Sequence, residues 1–425
     1  MTTDASAHPR PAPRANVVLG LLLLAYIFNF LDRQILGILL EPIKADLNFS
    51  DSELGVLTGP AFALVYSLCG IPLALLADRT SRSGVITAAL AAWSGFTALC
   101  GTATGFWQLF LFRLGVGLGE AGGVAPSYAL VADTFPAQRR GRALAIFSLG
   151  VPIGLGLGAI LGSWIAATFS WRTAFVAMGV AGLILAPIFK YVVRDPPRAP
   201  GTTAPSLRAL GATFPAVARK RSFWLMAFGA SLSSLVGYGL ATWVASILIR
   251  SYGMTLMGAG QFLGSLLLIG GSAGVFMGGW LADRLGSRNR RWYAWLPAIA
   301  WLVTAPLYAA GLLVDNLVLV WALLLVPNAL NILWLGPITT AVQHLVEPSK
   351  RATASGSFLL INNLIGLGVG PLLIGAISDQ LKSSYGVDSL RVAALAVLAF
   401  YLVAALLLFL ASRTIERDWV EEPAG

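Results

Sequence analysis

The chain has 425 residues, 57% of them hydrophobic and only 11% charged, with mean hydropathy +0.78 and a formal net charge of +10. A soluble domain carries roughly 25% charged residues, so this chain has too few to clothe a water-facing surface, and lipid must cover most of it. The basic excess does not signal nucleic acid, because the basic residues follow a topological pattern described below.

Apolar runs of about 20 residues, long enough to cross a bilayer, recur about twelve times. They fall roughly at 16–43, 53–77, 84–104, 106–131, 141–168, 172–193, 222–250, 256–282, 291–312, 315–345, 352–378 and 389–412. The leading MTTDASAHPRPAPR is polar and proline-rich. No short apolar core with a small-residue cleavage site follows it, so the first run is expected to stay as a span rather than be cleaved as a signal. That run is interrupted by Asp32 and Arg33. The fourth run contains RLGVGLGEAGGVAPS (113–127), with Arg113 and Glu120 seven residues apart and so on nearly one face of a helix.

Six runs precede a polar stretch and six follow it. The expected organisation is a tail (1–15), a six-helix bundle (16–193), a linker (194–221), a second six-helix bundle (222–413) and a tail (414–425). Within the linker, RDPPRAPGTTAPS cannot form a regular helix. Leu207, Leu210, Phe214 and Val217 beside Arg208, Arg219, Lys220 and Arg221 predict a short helix on the membrane surface, with Pro215 disturbing it. Arginine and lysine crowd the turns on one side, including Arg79, Arg82, Arg139, Arg140, Arg142, Arg284, Arg288, Arg290, Arg291, Lys350 and Arg351. The opposite turns hold only Lys44, Arg172, Arg250, Lys382 and Arg391. The positive-inside rule then places both termini in the cytoplasm, and the net charge encodes orientation.

The halves repeat. ALLADRTSR (74–82) follows the second run and GWLADRLGSR (279–288) the eighth, with Asp78 and Asp283 in matching places. FPAQRRGRA (135–143) and EPSKRATAS (347–355) are matching basic turns, each opening a glycine-rich run that contains GLGLG (154–158) or GLGVG (366–370). No strand precedes either glycine run, so both read as close helix packing rather than dinucleotide binding. Duplicated halves suggest a pathway between them.

The GxLADRxGxR pattern resembles the signature loop of the major facilitator superfamily. The second copy is complete at Gly279, Asp283, Arg284, Gly286 and Arg288. The first copy has Ala74 and Ser81 in the glycine positions. YIFNFLDRQILGILLEPIKADL (26–47), FRLGVGLGEAGGVAPSYALVADTFP (112–136) and RGRALAIFSLGVPIGLGLG (140–158) narrow the resemblance to its spinster branch. The resemblance implies an all-α membrane protein with 12 transmembrane helices in two pseudo-symmetric bundles. It also implies a proton-linked carrier of lysophospholipids or sphingosine phosphate working by alternating access. The same blocks, in looser form, occur in carriers of small acid anions.

Four charges inside apolar runs persist only if paired or hydrated, and Asp32, Arg33, Arg113 and Glu120 sum to zero. Asp32 lies about 24 Å along its rising helix and Arg113 about 10 Å down a descending one. In a core about 30 Å thick these depths coincide. Asp32 is expected to bind the proton with Arg113 as its exchangeable partner, while Arg33 and Glu120 form a second pair that tunes the first or meets the solute headgroup. The loop groups Asp78, Arg79, Arg139, Arg140, Asp283, Arg284 and Arg351 are read as a cytoplasmic gate. In that gate Asp78 is expected to pair with the basic turn after the fourth run when the inside is closed, with Asp283 and Arg351 as the mirror candidates.

The second half offers polar candidates Tyr238, Asn328, Asn331, Gln343, Asn362 and Asn363, with Trp243 and Trp334 as walls. The two histidines, His8 and His344, and the two cysteines, Cys69 and Cys100, form no metal-ligand cluster or expected disulfide. No nucleophile–base pair or phosphate loop supports an enzyme. The expectation is a monomeric, cofactor-free carrier in a bacterial inner membrane, handling protons and a small amphipathic or anionic solute amid lipid. The alternatives are a proton-coupled carrier of small organic anions or amphiphilic drugs, and an uncoupled scramblase or channel.

Overall fold

The structure is a computed structural model that describes residues 15–196 and 214–420, except 216 and 287. All regular structure among these residues is helical. Crossing one is α1 (Ala15–Ile38) with its continuation α2 (Leu40–Leu47), and crossing two is α3 (Asp51–Thr58) plus α4 (Pro60–Arg79). Crossing three is α5 (Arg82–Cys100), four is α6 (Phe106–Ala121) plus α7 (Val124–Thr134), five is α8 (Ala137–Ser148) plus α9 (Gly150–Thr168), and six is α10 (Trp171–Val192). The second half holds α11 (Arg221–Arg250), α12 (Leu256–Gly286) and α13 (Trp292–Leu313). It continues with α14 (Leu317–Ile332) plus α15 (Leu335–Gln343), α16 (Arg351–Asn362) plus α17 (Gly368–Tyr385), and α18 (Ser389–Val397) plus α19 (Ala399–Ser412).

Ten stretches are long and apolar enough to cross a membrane, one of them the 60-residue stretch Thr353–Ser412. That stretch folds back at the turn Gly386–Asp388 and so makes two crossings. Crossing four adds the twelfth. Its apolar run is cut by the turn at Gly122–Gly123, and its longer helix has only 16 residues.

Local chemistry sets the boundaries. Ser50 caps α3 in a reciprocal box. Its Oγ accepts from the Glu53 N–H at 3.1 Å and the Glu53 carboxylate accepts from the Ser50 N–H at 2.8 Å. Ser81, Ser170 and Asn316 cap α5, α10 and α14. Asn48, with φ of 56°, closes α2 in the left-handed region that asparagine tolerates. Crossing eleven contains a π turn, Asn363–Leu367, just before Pro371, where proline has no N–H to give the preceding turn. Apolar side chains such as Leu64, Leu111, Ile184 and Leu402 stay exposed, as lipid-facing residues do in a membrane chain.

Two seams join the bundles, and glycine makes both possible. Between α9 and α12, a Cβ on Gly260 would lie 1.9 Å from Ser163 Oγ, one on Gly156 2.3 Å from Leu268 Cγ, and one on Gly271 2.9 Å from Pro152 Cβ. Between crossings two and eleven, a Cβ on Gly59 would lie 2.5 Å from the Gly368 carbonyl, and one on Gly375 2.3 Å from the Asp51 carbonyl. Backbones that close leave no room for any side chain. Both seams run from mid-depth toward the end that holds the 38–51 turn, here called the far end. The LADR turns and the C-terminal segment lie at the other, basic end.

The linker stretch 197–213, with Leu207, Arg208 and Leu210 of the expected surface helix, lies outside the described residues. Phe214 and Pro215 are helical, and Phe214 meets Trp224 edge-on at 6.3 Å. The C-terminal segment expected as a tail is ordered over 415–420. It forms α20 (Ile415–Asp418) and docks on the second bundle. Asp418 accepts from the Ser222 N–H at 3.1 Å and its hydroxyl at 2.7 Å, and Trp419 stacks on His344 at 4.5 Å and on Tyr293 at 5.7 Å. Apolar and aromatic residues in 415–420 carry this docking, which its charged neighbours hide in the sequence.

Candidate functional site

The four charges singled out by the sequence converge in the first bundle. Crossing one supplies Asp32 and Arg33, crossing four Arg113 and Glu120, and crossing three Thr97. Arg33 Nε donates to Glu120 Oε2 at 2.6 Å, so this expected pair forms. Glu120 is fully buried, while Arg33 keeps 13% side-chain exposure. The Arg33 guanidinium also lies 4.5 Å from the Tyr66 ring centroid and 4.9 Å from those of Phe30 and Phe62, and Arg113 sits 5.3 Å from Phe62. Aromatic faces thus replace part of the water both cations lose.

Asp32 is placed differently from expectation. Its Oδ2 accepts from Thr97 at 3.2 Å, its Oδ1 has no hydrogen-bond partner, and no ion pair to Arg113 forms within 4.0 Å among the described residues. Depth along a helix axis fixes height but not azimuth, and azimuth turns Asp32 toward crossing three. Arg113 is 3% exposed with its Nε unpartnered. Asn29, one turn before Asp32, is buried beside Glu120 with both amide atoms unpaired by geometry.

The second bundle faces this cluster with neutral groups. Tyr238 lies within electrostatic reach of Arg33, and a Cβ on Gly37 would touch Thr242 at 3.7 Å. Asn362 accepts from Ser234 at 2.9 Å and Asn331 from Tyr401 at 3.2 Å, so both hold helices together. Trp243 is not a cavity wall. It is wholly buried and gives its N–H to the Pro371 carbonyl at 2.8 Å.

At the basic end, Asp78 pairs with Arg82 at 3.0 Å, and Arg82 also reaches Asp133. Arg79, Arg139 and Arg140 are exposed, Arg284 lies over Trp280 at 5.4 Å, and Arg351 meets His344 Nδ1 at 3.4 Å. The Asp283 side chain lies outside the described residues. Among the described residues, the ion pairs at this end, Asp78–Arg82–Asp133, Arg291–Glu416, Lys350–Glu347 and Arg417–Asp418, each stay within one bundle.

Among the described residues, the ion pairs that span the bundles lie at the far end, where the sequence reading placed no gate. Arg250 grips Asp51 with two bonds, Nη1 to Oδ2 at 2.7 Å and Nη2 to Oδ1 at 2.8 Å, and its Nε donates to Glu41 at 2.9 Å. Lys44 also pairs with Asp51, and Ser378 of crossing eleven donates to it at 2.7 Å. Asp379 accepts from the N–H groups of Asp51 and Ser52 at 3.1 and 2.7 Å, capping α3 from the other bundle. A forked guanidinium–carboxylate contact of this kind is both strong and directional. The available signal was Lys44 and Arg250 on an otherwise acid-leaning side.

Residues 22–371 match the family described as the Major Facilitator Superfamily. The chain belongs to the major facilitator superfamily. It is similar to an MFS-type efflux pump of Mycolicibacterium smegmatis, 36% identical over 99% of this chain and 97% of that protein. It is also similar to protein spinster homolog 1 of Xenopus tropicalis, 29% identical over 84% of this chain and 71% of that protein. A crystal structure of a bacterial homologue of the human lysosomal transporter Spinster, inward-facing and unoccupied, superposes with TM-score 0.87 at 29% identity, over 97% of this chain and all of that one. The expected spinster-like resemblance, all-helical fold and superfamily membership therefore hold. The chain is a multi-pass membrane transporter of that superfamily, and the proteins it resembles are carriers rather than enzymes.

Proposed function

We propose that the chain is a proton-coupled secondary carrier that works by alternating access and moves an amphipathic anionic solute such as a lysophospholipid or sphingoid phosphate. The carrying observation is Arg113, a cation buried in the membrane interior with no ion-pair partner within 4.0 Å among the described residues, beside an Arg33 already committed to Glu120. An unpaired interior cation is expensive and suits an incoming phosphate or carboxylate. The neutral, aromatic second bundle suits the apolar part of the solute. Asp32 is the proposed proton site, and Arg33 and Glu120 support it.

In this reading the basic end is cytoplasmic, as the distribution of arginine and lysine implies, in a bacterial inner membrane. The far-end latch then makes this the inward-facing state, in keeping with the solved structure it resembles. The relationship to an efflux pump supports a second reading, export of amphiphilic drugs by the same site.

The test is uptake of lysophospholipid into proteoliposomes driven by an imposed pH gradient, run beside an amphiphilic dye. Asp32→Asn is expected to abolish proton-driven movement while exchange without a gradient persists. Full gradient-driven uptake in that variant refutes the role of Asp32. Dye movement without lipid movement selects the second reading.

A further inference from the structure

The two carboxylates of the cluster are shut away. Asp32 is 1% exposed and Glu120 not exposed at all. Arg33 covers Glu120 on the side of the central space, since it bonds one carboxylate oxygen and keeps the only partial exposure of the pair. A proton therefore reaches Glu120 past a fixed cation or by another way.

Another way is built into the bundle. Crossing four breaks at Gly122–Gly123, immediately after Glu120 on the basic side. The glycines there admit a tryptophan ring, because a Cβ on Gly119 would lie 2.5 Å from the Trp93 backbone nitrogen and one on Gly123 3.1 Å from Trp93 Cζ3. Beside the break is a small, partly open cavity of about 10 Å³ lined by Ala25, Tyr26, Asn29, Trp93, Gly123 and Ser127, among others. A volume of that size holds one water, provided polar partners face it. Asn29 and Trp93 line it, and their polar atoms Nδ2, Oδ1 and Nε1 are buried and unpartnered by geometry, while Asn29 lies within hydrogen-bonding influence of the Glu120 carboxylate, whose Oε1 is likewise unpartnered. Ser127 donates its hydroxyl to the Gly123 carbonyl at 2.7 Å and so turns oxygen lone pairs outward. Unpaired buried polar groups are costly, and a water in this cavity would give those of Asn29 a partner.

We infer that this cavity binds a water that passes protons between Glu120 and the basic end through the interior of the first bundle, apart from the path of the solute. Tyr26 of the cavity lining meets the ring of Tyr128 edge-on at 6.4 Å, and Tyr128 is 37% exposed. The transfer balances simply. The water takes a proton from the solvent side and releases one to Glu120 Oε1, and the reverse step discharges it. The groups facing Glu120 are Asp32, Arg33 and the neutral Asn29 on crossing one and Arg113 on its own helix, while Trp93 on crossing three packs against Gly119 and Gly123.

This inference rests on the proton-coupled reading for its purpose but is tested apart from transport. The protein in lipid nanodiscs is given a light-released proton pulse, and the infrared carboxyl band of Glu120, assigned by its loss in Glu120→Gln, is followed in time. Asn29→Leu removes the polar partners, and Gly123→Ala fills the cavity while leaving Asn29 in place. Each is expected to slow the rise of the band by about tenfold or more, equivalent to about 1.4 kcal/mol of barrier, with its final amplitude kept. Either variant, folded and protonating Glu120 at the wild-type rate, overturns the inference, as does the absence of any Glu120 band in the wild type. If uptake ignores the pH gradient yet the variants slow the band, the coupled reading falls and the water route stands. If uptake is proton-driven and the variants do not slow the band, the reverse holds.

Discussion

Arg250→Ala is the most direct way to unlatch the far end. In the structure Arg250 makes two bonds to Asp51 and one to Glu41, joining crossing seven to the start of crossing two and the end of crossing one. Asp51 has 2% side-chain exposure and Arg250 14%, so water screens the contact little. Breaking one side of a buried pair is worth roughly 3–5 kcal/mol. Lys44 and Ser378 still serve Asp51, so the lower figure applies. Opening the far end separates the partners, and the interaction therefore counts only in the latched state.

At about 1.4 kcal/mol per decade, about 3 kcal/mol shifts the latched-to-open ratio roughly a hundredfold. The assay is the spin-label distance between Phe169→Cys and Val387→Cys, two exposed far-end positions on opposite bundles, in a background lacking Cys69 and Cys100. The wild type is expected to show mainly the short distance and Arg250→Ala a dominant longer one. Arg250→Lys falls between, because lysine has no fork. An Arg250→Ala distribution that matches the wild type refutes the latch.

Other outcomes follow from the same geometry. Gly260→Ala sets a methyl 1.9 Å from Ser163 Oγ and 2.7 Å from the Ala159 carbonyl. It is expected to destabilise the closed seam by about 1–3 kcal/mol, read as the same lengthened spin-label distance with helix content unchanged. Burial pushes the Asp418 carboxyl up, but the Ser222 N–H and hydroxyl and Arg417 outweigh it and hold the group below the usual carboxylate range. A depressed value stabilises docking above the ordinary aspartate pKa and loses that stability as pH falls through the folded one. Segment 415–420 should therefore stay docked at neutral pH and release only in acid. Asp418→Asn should weaken docking at neutral pH by about 1–2 kcal/mol, both followed by a fluorinated Trp419 resonance.

The membrane made the crossings and the four charges legible. An arginine or carboxylate within an apolar run is conspicuous because it is expensive there, which is why Asp32, Arg33, Arg113 and Glu120 stood out from the sequence. The duplicated LADR turns exposed the two halves for a similar reason, as polar punctuation between long apolar runs. The far-end latch was hidden because Glu41, Lys44, Asp51 and Asp379 stand at crossing ends, where charge is unremarkable. Its central partners, Asp51 and Arg250, are 199 residues apart. Helix azimuth was hidden too. A rotation that leaves height unchanged turns Asp32 to Thr97 instead of Arg113, and buries Trp243 against Pro371 instead of in a cavity wall.

For the proposed proton-coupled carrier, the placement of the charges also constrains how coupling would operate. Asp32, Arg33, Arg113, Glu120 and Thr97 all belong to the first bundle, so rocking the bundles as rigid bodies moves the cluster as a unit and leaves its internal distances alone. What rocking changes is the face presented by Tyr238 and Thr242 of crossing seven. Exchange of partners at Asp32 therefore requires either an anion arriving at Arg113 or bending within the first bundle. The sequence provides for bending at Gly122–Gly123, directly after Glu120, and at Leu39, one turn beyond Ile35 on the helix that carries Asp32. A solute that neutralises Arg113 withdraws positive potential from both carboxylates and favours their protonated forms. Binding of an anion and uptake of a proton are then linked reciprocally, without Asp32 and Arg113 ever having to touch.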